Sequence, residues 1–383
     1  MKVGVRVPPL PPFDRMRKLV SRFAAGGVDS FWWPDHLMAF ASPSLWQGEK
    51  RVRDLLDLHA YADPFVCMAA CAAEAGDADM GLCVTDSVRR MPATILQSAL
   101  SVDHLVTGRV LVGIGAGEVA NFRPYGWDVA SPARRLLDAA TSIRSLMDDP
   151  GPDRQGAVMG LRPSAGAGPE LWLASHGPRG LALTGRVADG WIPSNLTPER
   201  WRRGREAVLA SAEAAGRATD AVEMGLALDV IVQEQHEQAH ALLRHPAVRV
   251  LCLLLPDEVF ARYGTAHPLG DREKHSLIPT LSGDRLLRAA MALDDRLVHD
   301  HIVHGSPNEV AASIAAYAGL EHVRLSDLSS SGGARGGGVD QLLRVVQRIH
   351  HLVPPDATSG PPTPHRLPAS DRSHSYSSQR PRR

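Results

Sequence analysis

The chain has no excess charge of either sign: Lys plus Arg and Asp plus Glu each number 42 over 383 residues. That balance argues against an electrostatic nucleic-acid binder and against a membrane-surface protein. Cysteine is scarce as well. The four cysteines (Cys67, Cys71, Cys83 and Cys252) include no Cys-x-x-Cys pair, which removes the usual redox and zinc-ribbon spacings. Cys67 and Cys71 lie four apart in an Ala-rich helical stretch and read as buried small hydrophobes, in keeping with a reduced, cytoplasmic setting. No apolar run approaches the length that spans a bilayer. The opening Met1-Lys-Val-Gly-Val-Arg-Val7 is interrupted by charge and then by prolines, so no signal-peptide core is expected there. No internal repeat is visible.

What is present is an alternation of short apolar strands and longer helices. Lys2–Val7, Asp29–Trp33, Asp79–Val84, Val110–Ile114, Leu171–Ala174, Gly190–Ile192, Val222–Val232 and His322–Leu325 read as strands. The helices between and after them are Phe13–Ala25, Ala62–Glu74, Pro92–Leu105, Pro132–Met147, Pro178–Gly185, Pro198–Ala215 and Val339–Leu352. Strands that are apolar on both faces, each followed by a helix, imply a parallel sheet covered by helices. About eight such units favour a (β/α)8 TIM barrel over a doubly wound sheet. Two regions break the rhythm. Residues 245–304 contain His and Pro without a clean barrel unit and read as an insertion on the catalytic face, while 354–383 are rich in Pro, Ser and Arg and read as a disordered tail. The barrel domain is therefore set at 1–353.

Four strand ends carry residues with chemistry. Phe31-Trp-Trp-Pro-Asp-His36 places Asp35 and His36 where barrel enzymes work, and a His titrates near neutrality. Gly81-Leu-Cys-Val-Thr-Asp86 ends on Thr85 and Asp86, either hydrogen-bonding groups for a heterocycle or an ordinary cap. Gly113-Ile-Gly-Ala-Gly-Glu118, with Asn121 beyond it, combines close backbone approach at Gly115 and Gly117 with a carboxylate. Its spacing is not Gly-x-Gly-x-x-Gly, and the polar stretch Asn121–Ser131 delays the next helix, so a Rossmann reading is poor. Finally, Leu171-Trp-Leu-Ala-Ser-His-Gly-Pro-Arg179 runs a strand into Ser175 and a helix start at Gly177-Pro178, a natural anion site with Arg179 adding charge. His299, His301 and His304 lie near one another, but their spacing suits no standard zinc site; they read as a solvated or satisfied cluster, and no metal is expected.

These sites, in this order, resemble the bacterial luciferase-like superfamily, within it the coenzyme F420-dependent branch, and more narrowly the phthiodiolone dimycocerosate ketoreductases. Asp35-His36-Leu37, Val84-Thr-Asp86, Gly113–Glu118, His176-Gly-Pro-Arg179, Thr184-Gly-Arg186 and Gly305-Ser-Pro-Asn-Glu309 carry the likeness, which spans about residues 1–325. The resemblance implies a deazaflavin ring over Cys83, Val84, Thr85 and Gly115–Glu118, with Asp35 and Asn121 nearby. It also implies a non-proline cis peptide at the Cys83 strand end. The cofactor phosphate would lie on Ala174, Ser175, His176, Gly177, Pro178 and Arg179. His36 would be the proton-transfer residue and Glu118 its acidic partner. Relatives imply a homodimer.

The chain departs from the sugar-phosphate dehydrogenases of that branch. Phe40 stands where they have tryptophan, and Asn195–Thr197 where they have a phosphate-binding lysine, which argues against a sugar-phosphate substrate. The expectation is an F420-dependent oxidoreductase passing hydride to a small-molecule or lipid-like ketone. An FMN-dependent monooxygenase and a non-catalytic flavin-binding relative are the alternatives.

Overall fold

The computed structural model describes residues 1–39, 59–118, 121–127, 130–148, 156–164, 166, 168–218, 220–270, 281–329 and 338–353. Phe40 and the expected tail at 354–383 lie outside them. Nine parallel strands follow one another: β1 (Lys2–Arg6), β2 (Ser30–Trp33), β3 (Asp79–Asp86), β4 (Val110–Gly115), β5 (Glu170–Ala174), β6 (Gly190–Trp191), β7 (Glu223–Val232), β8 (Val303–Gly305) and β9 (His322–Asp327). Neighbours pair in order from β1 to β7, and β9 pairs with both β7 and β1, which closes an eight-stranded barrel. The ninth strand, β8, joins only the C-terminal end of β7, with Val230 opposite Val303 and Val232 opposite Gly305. The expected (β/α)8 architecture is the observed one.

Helices α1 (Phe13–Ala25), α2 (Pro64–Ala75), α3 (Pro92–Asp103), α4 (Pro132–Asp148), α5 (Pro178–Val187) and α6 (Pro198–Ala214) follow the first six strands. Proline in the first turn of α2, α3, α5 and α6 fixes φ where the missing N–H costs nothing. The irregular region begins at His236 rather than 245, because β7 ends at Val232 and the chain turns at once into helices. These are α7 (His236–Leu242), α8 (Pro246–Cys252), α9 (Asp257–Arg262), α10 (Gly283–Met291) and α11 (Asp295–His301). They bury their own core, which includes Val248, Phe260, Leu286 and Leu297. Then α12 (Pro307–Ala315), opened by a Ser306–Glu309 capping box, and α13 (Val339–Leu352) complete the outer layer.

Two apolar zones explain the barrel. One lies between strands and helices; the other fills the barrel interior with Trp32, Leu111, Trp172, Ile192 and Ala227. A Cβ at Gly81 would lie 2.7 Å from the Trp32 ring and one at Gly190 would lie 2.2 Å from Trp172, so glycine makes room for both indoles. Below them Arg109 closes the floor, reaching Asp79 (2.7 Å), Glu170 (3.0 Å) and Glu223 (2.7 Å). His322 links Glu223 (3.0 Å) to Ser30 (2.7 Å). Burial pushes the Glu170 carboxyl up to about 7 despite Arg109, whereas His322 and Arg109 hold Glu223 well below the carboxylate range against its own burial. With the floor packed, the C-terminal strand ends are left for chemistry. Among the described residues no helix is long and apolar enough to cross a membrane.

Candidate active site

The buried run Phe31–Trp33 anchors β2, and the chain leaves it through Pro34, Asp35 and His36. The His36 ring is largely covered, and its Nδ1 lies 2.8 Å from Asn121 Nδ2 and 3.9 Å from Glu118 Oε2. Asn121 Oδ1 accepts the Leu37 backbone N–H at 3.1 Å. That bond fixes the amide orientation, so Nδ2 must be the atom donating to His36. His36 Nδ1 is therefore an acceptor, and the proton of the neutral ring sits on Nε2. Burial lowers the pKa of His36, Glu118 pulls it back up, and Arg6 and Arg89 lower it further; the net direction is down. The ring is thus a neutral donor at working pH.

The loop after β4 delivers the partners. Asn121 N–H donates to the Glu118 carbonyl at 2.8 Å, and the Asn121 amide also reaches Glu118 Oε2 at 3.4 Å. Gly117 has φ +85°, and a Cβ there would lie 2.6 Å from the Phe122 ring. Only glycine allows the chain to turn so that Glu118 and Asn121 both face His36.

Asp35 and Thr85, both expected at the cofactor, are engaged with protein. Asp35 accepts from Thr85 Oγ1 (2.6 Å), Arg90 Nε (2.7 Å) and Arg89 Nη1 (3.2 Å), while Arg89 also binds Asp86 at 2.6 Å. Burial alone would raise the Asp35 pKa, but the hydrogen bond from Arg90 and the two guanidinium charges hold it below the ordinary value. These buried pairs clamp the ends of β2 and β3 together and set the position of His36. Tyr61, on the segment leading into α2, packs edge-on to the His36 ring at 5.6 Å.

The end of β3 carries a cis peptide between Cys83 and Val84, as the family resemblance implies. The pairing of Asp86 with Gly115 and of Gly115 with Ala174 aligns the ends of β3, β4 and β5 side by side. Across the barrel, Arg324 on β9 donates from Nη2 to Cys83 Sγ at 3.4 Å, and its Nε is buried without a partner among the described residues. Burial opposes the Arg324 charge, yet Cys83 and Asp229 keep its pKa raised. Asp229 is itself held by Asn195 Nδ2 at 2.8 Å. Sequence reasoning missed Arg324. The available signal was an arginine interrupting an apolar barrel strand, since inward charge in a packed barrel requires a partner.

At the end of β5 the Ser175 hydroxyl is buried against Thr184 Oγ1 (2.9 Å), and the Ser175 carbonyl accepts from Trp191 Nε1 (3.0 Å). His176, Gly177, Pro178 and Arg179 are exposed, and Gly177 starts α5 without a side-chain cap. No side chain caps the first-turn N–H groups of α5, the kind of helix start that can receive an anion.

Known proteins bear this arrangement out at the level of fold and family. The luciferase-like monooxygenase family profile matches residues 1–321. A phthiodiolone/phenolphthiodiolone dimycocerosates ketoreductase of Mycobacterium tuberculosis is 31% identical over 335 residues, covering 82% of this chain and 88% of the relative. An F420-dependent secondary alcohol dehydrogenase, solved with an F420-acetone adduct, superposes with a TM-score of 0.68 at 17% identity, covering 92% of this chain and 98% of that one. The coenzyme F420-dependent tetrahydromethanopterin reductase of Methanopyrus kandleri also gives 0.68, at 16% identity and 91% and 98% coverage. The chain therefore belongs to the luciferase-like monooxygenase family.

Proposed function

We propose that the chain is a coenzyme F420-dependent oxidoreductase that reduces a hydrophobic ketone. The observation that carries the reading is the neutral His36 ring, held by Asn121 with its Nε2–H turned away from that amide. A donor fixed at a barrel mouth suits a carbonyl oxygen that gains charge as it is reduced. The site also fits the cofactor on its own terms. Arg324 Nε beside Cys83, without a partner among the described residues, is a buried donor suited to the acceptor-rich edge of a flavin-like ring. The uncapped start of α5 suits a phosphate.

In this reading Cys83, Val84, Gly115 and Gly117 line the ring, and Ala174–Arg179 take the phosphate. When bound, the reduced deazaflavin supplies hydride. His36 Nε2–H donates to the substrate oxygen and hands over its proton as Nδ1 takes one from solvent past Glu118 in exchange for the Asn121 bond, so the ring ends neutral in its other tautomer. Asp35, Thr85, Arg89 and Arg90 hold the His36 strand end rather than touching substrate. Leu37, 39% exposed beside His36, and the Tyr125–Trp127 pair, with ring centroids 5.5 Å apart, offer apolar surface on the two segments that carry the site. That surface suits a lipid-like ketone, the kind of substrate the mycobacterial relative's name describes.

Two measurements test the proposal. Fluorescence titration of the purified chain with coenzyme F420 and with FMN should show preference for F420; preference for FMN would favour the flavin monooxygenase reading, and binding of neither would overturn the cofactor reading. In single-turnover oxidation of reduced F420 by a hydrophobic ketone, His36→Ala should slow the step about 100- to 10,000-fold, the range of general acid catalysis. An unchanged rate would remove His36 from the mechanism.

A further inference from the structure

Outside this site, four histidines far apart in sequence converge. His236 and His240 lie one turn apart on α7, His304 is the central residue of β8, and His299 lies near the end of α11. One ring nitrogen from each of His236, His240 and His304 lies within 4.8 Å of the others. His240 Nδ1 and His304 Nε2 are 3.2 Å apart. Two imidazole ligands about 2.0–2.1 Å from a tetrahedral ion are separated by about 3.3 Å, so the spacing is that of a coordination shell.

The tautomers agree with this. His304 Nδ1–H donates to the Ile302 carbonyl at 2.9 Å, which leaves the Nε2 lone pair directed at His240. Glu309, whose other contacts cap α12, lies 3.2 Å from His236 Nδ1 and supplies the carboxylate that orients metal-binding imidazoles and offsets the ion's charge. The His299 ring borders the trio, 4.9 Å from that of His304. Of the histidines grouped by sequence proximity, His301 turns away: it is buried with Nδ1 on the Leu297 carbonyl.

We propose that His236, His240 and His304 form a site for a divalent late transition-metal ion of the zinc class, with Glu309 behind it and His299 at its edge. Imidazole donors with no thiolate select zinc, nickel, cobalt or copper over magnesium or calcium. The ligands come from the first helix of the insertion and from the strand that returns the chain to the barrel. A bound ion would therefore clip both ends of the insertion to the C-terminal end of β7.

The test uses the full chain, untagged and stripped by chelator. Cobalt chloride should produce the visible bands of four-coordinate Co(II) at one equivalent, and zinc chloride should displace them and raise the melting temperature. His240→Ala changes an exposed side chain and should abolish the bands while leaving the far-UV spectrum intact. His350→Ala, at a histidine elsewhere on the fold, should leave them unchanged. No band with the native chain, or bands that survive His240→Ala, overturn the site. Coenzyme binding is measured in the same samples and should persist in His240→Ala, so failure here is distinct from failure of the proposed activity.

Discussion

Asn121→Asp tests the central geometric argument. In the native chain Leu37 N–H occupies Asn121 Oδ1 at 3.1 Å, forcing Nδ2 to donate to His36 Nδ1 at 2.8 Å. A carboxylate at 121 keeps the acceptor for Leu37 but presents a second acceptor to Nδ1. The ring must then carry a proton on Nδ1. A hydrogen bond to a charged group contributes about 1.5–3 kcal/mol. At 1.36 kcal/mol per tenfold, that raises the proton affinity of the ring about 10- to 100-fold. Burial holds native His36 below the ordinary histidine value, so it is neutral at pH 7; the variant should protonate at higher pH. Long-range 1H–15N spectra of the apo protein report both quantities, since protonated and bare ring nitrogens resonate far apart. The expected native pattern is Nε2–H with a bare Nδ1. A native ring protonated on Nδ1, or an Asn121→Asp midpoint that does not rise, would refute the reasoning.

Two further outcomes follow from other parts of the fold. Glu170 has a folded pKa of about 7, above its unfolded value, so the folded state binds the extra proton and native stability falls as pH rises from about 4.5 to 7. Glu170→Gln should flatten that slope, worth at most about 3 kcal/mol, and match or exceed the native chain at pH 8 in urea melts; a variant less stable at pH 8 than at pH 5 relative to native would contradict this. Gly117→Ala places a Cβ 2.6 Å from the Phe122 ring at φ +85° and should cost about 1–2 kcal/mol while weakening cofactor binding more than tenfold; native-like binding would show that the turn does not position Glu118 and Asn121.

The barrel was legible because its strands are written as apolar runs closed by glycine, proline or acid. Phe13–Ala25 and Val339–Leu352 match their helices residue for residue, and the remaining boundaries move by at most two positions. The helices between His236 and His301 were not legible, since they are six to nine residues long and bury a core of their own, so no barrel-like period marks them. The start of the insertion was misplaced for the same reason: α7 follows β7 so closely that it reads as a continuation of the barrel.

The site divides along a similar line. Residues whose role depends on local chain geometry, such as Gly117 and Gly177, stood out because glycine and proline advertise unusual backbone. Pairings between residues distant in sequence did not. Asp35, expected at the cofactor, has its carboxylate engaged by Arg89, Arg90 and Thr85, some 50 positions away. The His36 ring meets Asn121, 85 positions away, at 2.8 Å. Arg324 meets Cys83 across 241 positions, and His240 meets His304 across 64. In a closed barrel each strand end is a neighbour of strand ends remote in sequence, so adjacency along the chain is weak evidence of chemical partnership. Sequence reading picked out the strand ends expected to carry chemistry; which groups meet there is decided by strand register, and His36 with Asn121 is the pairing on which the proposed activity depends.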